Sequence, residues 1–491
     1  MKKLLPLFLL LVLVSCSKNE YVNVIPKDAK FVLSVNLKSI AEKADFAHSQ
    51  YYDQIVSVLK GSAGSSADQV QNYIDDPAQM GIDFRQPVYF FQTADMYGVA
   101  MAVYDKGDLE SLIENMKKEG VCGDIEESDG LSFVQSPLGA SIAFDKKSLL
   151  VLVPAGSATQ QYSQEFCKQL FSQDEENRFV ESEAFSEFED LDGELAFYGD
   201  FGAMPQDVVG DFKSLLPDGI RYSDVQIFSS VKTDSGKAVW SSFLKGKSKD
   251  IQKLFEKDEN RFKHIDGEFI ESPMQDFSIW ACFGVEKGAL LNMLKQSDTG
   301  KQVLLMIERA IDIEAILRQV EGDVAIVLPQ DAVSSGTTTD FLLLAEVDDD
   351  DFMKEVDYWQ QSMKDYGMSM SKTIGNNYLI NTGDFSINWG LDDDNIYFAT
   401  PDMFAKNSVT PRSDLLVANK KDIKDSYFYV YVNVPAMVKA DKAKATRSLS
   451  VADNALEDIS SIIIQSKSHE SLDITVNLTD ASQQFLKAML Q

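Results

Sequence analysis

Seventy-seven of the 491 residues are Asp or Glu, and two runs of them are of the type that binds a hard cation: Asp348 to Asp351 and Asp392 to Asp394. Clustered carboxylates suit calcium, but neither run has the spacing of an EF-hand loop. Each also has a plainer reading. Asp348 to Asp351 comes just before a segment with helical apolar spacing, where acids cap the helix and oppose its dipole. Asp392 to Asp394 reads as a solvated turn between strands. The three histidines, His48, His264 and His469, lack metal-ligand spacing such as HExxH, and each reads as an exposed structural residue. There is no GxSxG elbow and no glycine-rich phosphate loop. A catalytic carboxylate pair would leave no mark in so acidic a sequence. Four tryptophans, Trp240, Trp280, Trp359 and Trp389, have the flat faces that stack on sugars.

Cys16 stands apart from these. Lys2 and Lys3 precede an apolar run from Leu4 to Val14, too short to span a bilayer, and Leu13-Val14-Ser15-Cys16 follows. This pattern matches the lipobox of bacterial lipoproteins, in which the cysteine thiol is alkylated by diacylglycerol and the chain is cut before it. Residues 1–15 therefore read as a signal peptide and 16–26 as a lipid-anchored tether. Cys16 is the one residue to which the sequence assigns a chemical role.

Composition narrows the rest. An apolar fraction of 44% and an aromatic fraction of 10% describe a globular chain. Its length suggests more than one core. The net charge of −31 excludes the cationic surface that nucleic acid requires and disfavours a body lying on anionic lipid. The other cysteines, Cys122, Cys167 and Cys282, allow at most one internal bridge, and the sequence leaves open whether any forms; none has zinc spacing. Cys282 lies mid-strand in Ile279-Trp-Ala-Cys-Phe283 and reads as buried and free.

The elements around these residues occur twice. Gly120 to Pro154 lies over Gly367 to Pro401 without a gap, at a constant offset of 247 positions. Val99 to Met116 corresponds to Phe341 to Met363, a strand, an acidic loop and an amphipathic helix. Val225 to Phe255 corresponds to Ile462 to Leu490, two strands and a helix. Four strands run into Asn36, Asp200, Gly284 and Asn433, each read as the N-cap of a helix. The expected architecture is α+β: two homologous repeats, 27–258 and 267–491, each mainly antiparallel sheet with helices on one face. The duplication also weighs on the candidate sites. Asp392 to Asp394 lies over Asp145-Lys146-Lys147, and the tryptophans lie over Ile474, Val32, Met116 and Ile142. Turn and core roles are expected for them. The Ser/Gly/Thr runs Gly61 to Ser66 and Val333 to Thr339 read as surface loops.

The opening Val24-Ile-Pro-Lys-Asp-Ala-Lys-Phe-Val-Leu-Ser-Val-Asn-Leu37, behind a lipobox and a short spacer, resembles lipoproteins common in Bacteroides-type bacteria and catalogued as a domain of unknown function. The resemblance implies a cell-envelope protein and brings no functional residues with it. The expected function is a non-catalytic binding or assembly module without cofactor. It would be anchored to the membrane, the outer one being expected, through its lipid, with an envelope protein as partner. The alternatives are a carboxylate-dependent hydrolase with an inter-domain site and a lipoprotein that captures a small ligand or glycan. Ser17-Lys-Asn-Glu20 leaves the membrane face open.

Overall fold

The computed structural model describes residues 20–490, except 50, 64–66, 129, 156–158, 205–218, 259–260, 274–276, 297, 309–310, 331–339, 374, 384, 410–412 and 445–455. Its residues fall into two compact units. Unit 1 takes the chain up to Pro205, Val225–Ser235 and the C-terminal residues from Gln483; unit 2 takes Gln206–Asp224 and Gly236–Ser482.

The strands of unit 1 are β1 (Phe31–Val35), β2 (Val88–Gln92), β3 (Met96–Ala102), β4 (Glu126–Ser128), β5 (Leu131–Gln135), β6 (Ser141–Phe144), β7 (Ser148–Pro154), β8 (Leu195–Asp200) and β9 (Val225–Asp234). They pair in the order β4-β5-β6-β7-β3-β2-β1-β8-β9, every pair antiparallel. Along β3, Met96, Gly98, Ala100 and Ala102 are buried and the residues between them are not, the period-two signature of a sheet with one face on a core.

Unit 2 contains β10 (Lys237–Gly246), β11 (Phe262–Lys263), β12 (Phe277–Val285), β13 (Val320–Pro329), β14 (Leu342–Val347), β15 (Ser369–Lys372), β16 (Asn377–Asn381), β17 (Ser386–Asp392), β18 (Asn395–Ala399), β19 (Phe428–Asn433), β20 (Ile459–Ser466) and β21 (Ser471–Leu478). Their order is β15-β16-β17-β18-β14-β13-β12-β19-β20-β21-β10, again antiparallel throughout. The short β11 lies against the end of β12. From β15 to β20 the order is that of β4 to β9 in unit 1, strand for strand. The fold is thus α+β on antiparallel sheet. No described helix is long and apolar enough to cross a membrane.

Several boundaries differ from the sequence reading, each for a local reason. β10 and the helix Lys249–Asp258 belong to unit 2 because β10 pairs along β21, with Trp240 opposite Ile474. The terminal helix Phe485–Met489 belongs to unit 1, where Lys487 Nζ donates to Asp45 Oδ2 at 2.6 Å. Residues 20–26, read as tether, are folded. Glu20–Val24 is a 3-10 turn with Tyr21, Val22 and Val24 buried, and Ile25 is buried behind it. These apolar side chains make the segment part of the core of unit 1. Gly284 does not cap a helix. It lies inside β12, where a Cβ would sit 2.4 Å from Lys263 O, so the strand runs on past it.

The other three junctions are caps. Asn36 accepts from Ser39 N, Asp200 from Gly202 N and Asn433 from Ala436 N. Gly61 ends up in the helix Tyr52–Ala63, while 64–66 and Val333 to Thr339 lie outside the described residues, as does Cys16.

Candidate functional site

The sequence-singled residues are dispersed rather than assembled. Asp392, Asp393 and Asp394 form the exposed β17–β18 turn, Asp393 with φ +49°. Asp348 to Asp351 are exposed ahead of the 3-10 turn Asp351–Glu355, Asp349 accepts from Asp351 N, and Lys287 pairs with Asp348. Trp280, Trp359 and Trp389 are buried, the last two in one cluster with Tyr378. Trp240 departs from the core role: it is 51% exposed, on a face of the β10–β21 ladder that solvent reaches.

His48 is exposed and bonded to Asp45 at 2.7 Å, and His264 is exposed. His469 is half-buried instead, its ring packed at a tilt against Tyr427 with 4.2 Å between ring centroids; His264 lies at the same distance from that ring. Cys122, Cys167 and Cys282 are buried free thiols. Burial pushes Cys167 up to about 12 and Cys282 well above the ordinary thiol range, so both are inert near neutrality.

Two arrangements that the sequence did not announce bring chemistry together. The first is an open cavity of about 540 Å³ in unit 1. Gly81 builds it. At φ +73° this residue closes the turn Pro77–Met80, and its carbonyl accepts from Tyr104 N at 2.8 Å and Asp105 N at 3.2 Å. Asp105 in turn caps the helix Lys106–Lys118 through Gly107 N and Asp108 N. Ile82 and Phe84 then line the cavity with Leu37 and Ala41 of the helix Leu37–Lys43. Beneath lies a core of Leu109, Ile113, Val134, Phe144 and Leu149. Arg85 is held in a fork by Asp83, at 2.7 and 2.9 Å, with its guanidinium 5.0 Å from the Tyr104 ring. The hydrogen bonds from Arg85 hold the Asp83 carboxyl below its usual range. The lining is thus mainly apolar, with the paired Arg85 and Asp83 and with Lys38 and Asp76 balanced in sign, and is suited to recognition of an apolar group.

The second is a carboxylate trio in unit 2. The oxygens of Asp266, Asp323 and Glu346 all lie within 4.8 Å of one another. Asp323 is fully buried, and its two oxygens accept from three successive amides, Asp266 N at 2.8 Å, Gly267 N at 2.7 Å and Glu268 N at 3.0 Å. Glu346 accepts from Asp323 N. Gly322 makes this approach possible, since a Cβ there would meet the Glu346 carboxylate at 2.3 Å.

Burial raises the Asp323 carboxyl against the lowering effect of the three amides, and the Asp266 charge adds to the rise. Burial also raises Glu346, helped by the charges of Asp323, Asp266 and Glu268. The contrast is Glu194 in unit 1. Burial raises that carboxyl too, but Lys43 at 2.5 Å and Thr233 hold it below the usual value. Among the described residues the trio and the exposed Asp349, Asp350 and Asp351 are the groups that could hold a cation. The amides occupying Asp323 give the trio a structural task, tying residues 266–268 to β13 and β14. A sequence signal exists for it: a Gly-Asp pair heading the apolar run Val324 to Leu328.

The raised Glu346 has a testable consequence. A carboxyl whose folded pKa is raised contributes stability below the unfolded carboxylate range, and this is lost as pH rises through the folded pKa. Glu346→Gln keeps an oxygen for Asp323 N and removes the repulsion. Urea unfolding should show it more stable than the parent by about 1 kcal/mol at pH 8 and equal to it near pH 4. An equal difference at both pH values would contradict the assignment.

The chain has no match among curated proteins. Among solved structures it is similar to two described as the structure of crystal form IV and of crystal form III of TP0453. The first is 10% identical over 45% of this chain and 79% of that one, the second 11% over 50% and 89%, each with a TM-score of 0.28. Likeness at that level carries neither fold nor function across. A family model does match, over residues 21–449. That span holds the cavity, the trio and all the strands except β20 and β21, and on it the chain belongs to the family described as Domain of unknown function (DUF4836).

Proposed function

We propose that this protein is a lipid-anchored component of the bacterial cell envelope, with its diacylglyceryl group on Cys16, and that its body is a non-catalytic binding or assembly module. The Leu13-Val-Ser-Cys16 motif behind a short apolar run carries the reading. Support comes from the apolar cavity of unit 1, which has the lining of a recognition surface. The shared strand order of β4 to β9 and β15 to β20 supports two homologous repeats of one α+β module. The hydrolase reading draws on the raised carboxyls of the trio. It is the weaker one, because amides already occupy Asp323.

The anchor is tested by feeding cells an alkyne fatty acid. The wild-type protein should take up the label and partition with membranes, whereas Cys16→Ser should lose essentially all label, retain its signal peptide and show no change in fold. The three remaining thiols are buried, so label persisting in that variant would defeat the reading. Protease digestion of whole cells then decides the face, and crosslinked pull-down from the envelope looks for the partner.

A further inference from the structure

We propose that the cavity end of unit 1 docks on the bilayer, its apolar lining meeting the acyl chains of membrane lipid. The inference rests on the anchor reading and deepens it. Its origin is the shortness of the leash. Glu20, the first described residue and part of a 3-10 turn, is four residues after Cys16, and four residues span at most about 14 Å. The part of the body nearest Glu20 must therefore stay close to the membrane surface.

That part is the cavity end. Glu20 pairs with Lys147 of the β6–β7 turn, and Val103 N donates to Lys147 O at 2.9 Å, next to Tyr104 of the lining. Tyr21 Oη donates to Pro87 O at 2.9 Å, two residues from Arg85. The rim carries the side chains of a membrane-facing surface. Leu37 is 41% exposed and Tyr104 55%, and an amphipathic Tyr ring belongs at the level of the headgroups.

Charge favours the same end. In a chain of net charge −31, the cavity is lined by Lys38 and Arg85 against Asp76 and Asp83. This surface is locally neutral, so approach to anionic lipid meets little of the repulsion that the rest of the chain would impose. The opposite end of the same sheet carries the β5–β6 turn, where Leu138 is 87% exposed and serves as an internal control.

All four native tryptophans lie in unit 2, so Tyr104→Trp and Leu138→Trp each place one reporter in unit 1. The mature chain, carrying a dialkyl lipid attached through a maleimide at Cys16, is reconstituted on vesicles of phosphatidylethanolamine and phosphatidylglycerol with brominated acyl chains. Quenching above that of the parent protein is then read. The reporter at 104 should be quenched about threefold or more over the reporter at 138. Leu37→Asp, at an exposed position, should cut that ratio toward one without changing the thermal transition.

Equal quenching at 104 and 138, or none at either, overturns the proposal. So does a reporter at 104 that bromolipid cannot reach but that a second copy shields in a concentration-dependent way. Because the lipid is attached chemically, the result does not depend on native lipidation. That question is settled separately by the mass of the native N-terminal peptide.

Discussion

Asp323→Ala is expected to destabilise unit 2 by about 3 kcal/mol or more. The carboxylate is fully buried and serves three consecutive amides, those of Asp266, Gly267 and Glu268. Removing it leaves these donors without their acceptor; an unsatisfied donor kept from water costs roughly 1–3 kcal/mol, and less at the exposed Asp266 and Glu268. The loss is partly offset, since an unfavourably buried charge and its repulsion with Glu346 also disappear. The amide loss wins because there are three donors and one charge. Asp323→Asn keeps one oxygen acceptor and should lie between the parent and the alanine variant. Intrinsic fluorescence is the natural probe, because Trp280, Trp359 and Trp389 are all buried in unit 2. An alanine variant whose urea midpoint moves by no more than experimental error would show that water replaces the carboxylate, and the structural role would fall.

Gly81→Ala should be as damaging, and in unit 1. The residue has φ +73°, a region that costs an L side chain about 1–2 kcal/mol. A Cβ there would also lie 2.3 Å from Leu109 N and 2.4 Å from Asp105 O. These are backbone atoms of the capped first turn of the helix Lys106–Lys118, so no rotamer change can relieve the contact. The expected cost is about 3–5 kcal/mol, with displacement of Ile82 and Phe84 from the cavity. Unit 1 lacks tryptophan, but it holds the buried Cys122, whose thiol donates to Ile113 O beneath the cavity. Thiol labelling of Cys122 should therefore accelerate in the variant while tryptophan emission, from unit 2, stays unchanged. Loss of signal from both units at one midpoint would refute the assignment of Gly81 to unit 1 alone.

What could be read from sequence follows from what leaves a local trace. Strands did, because period-two burial and apolar runs such as Phe277 to Val285 are imposed residue by residue. Caps did where the side chain itself makes the bond, as at Asn36 and Asp200. Gly284 misled because glycine serves both a helix start and a close backbone approach, and only the neighbouring Lys263 carbonyl separates the two. Trp240 misled because an apolar counterpart says nothing about which face of a ladder is covered. The cavity and the trio left still less trace. Arg85 meets Tyr104, and Asp323 meets Asp266, through tertiary contacts across tens of residues. No window on the chain contains both partners.

The pairing of β10 with β21 sets the order in which this molecule can be completed. Within unit 2, strand β10 pairs with β21, more than two hundred residues later. Until that stretch emerges, Lys237–Gly246 has an unpaired edge, a template for wrong partners. The terminal helix of unit 1 is later still. Neither unit is finished until the last residues arrive, so the chain cannot mature from its N-terminus one unit at a time.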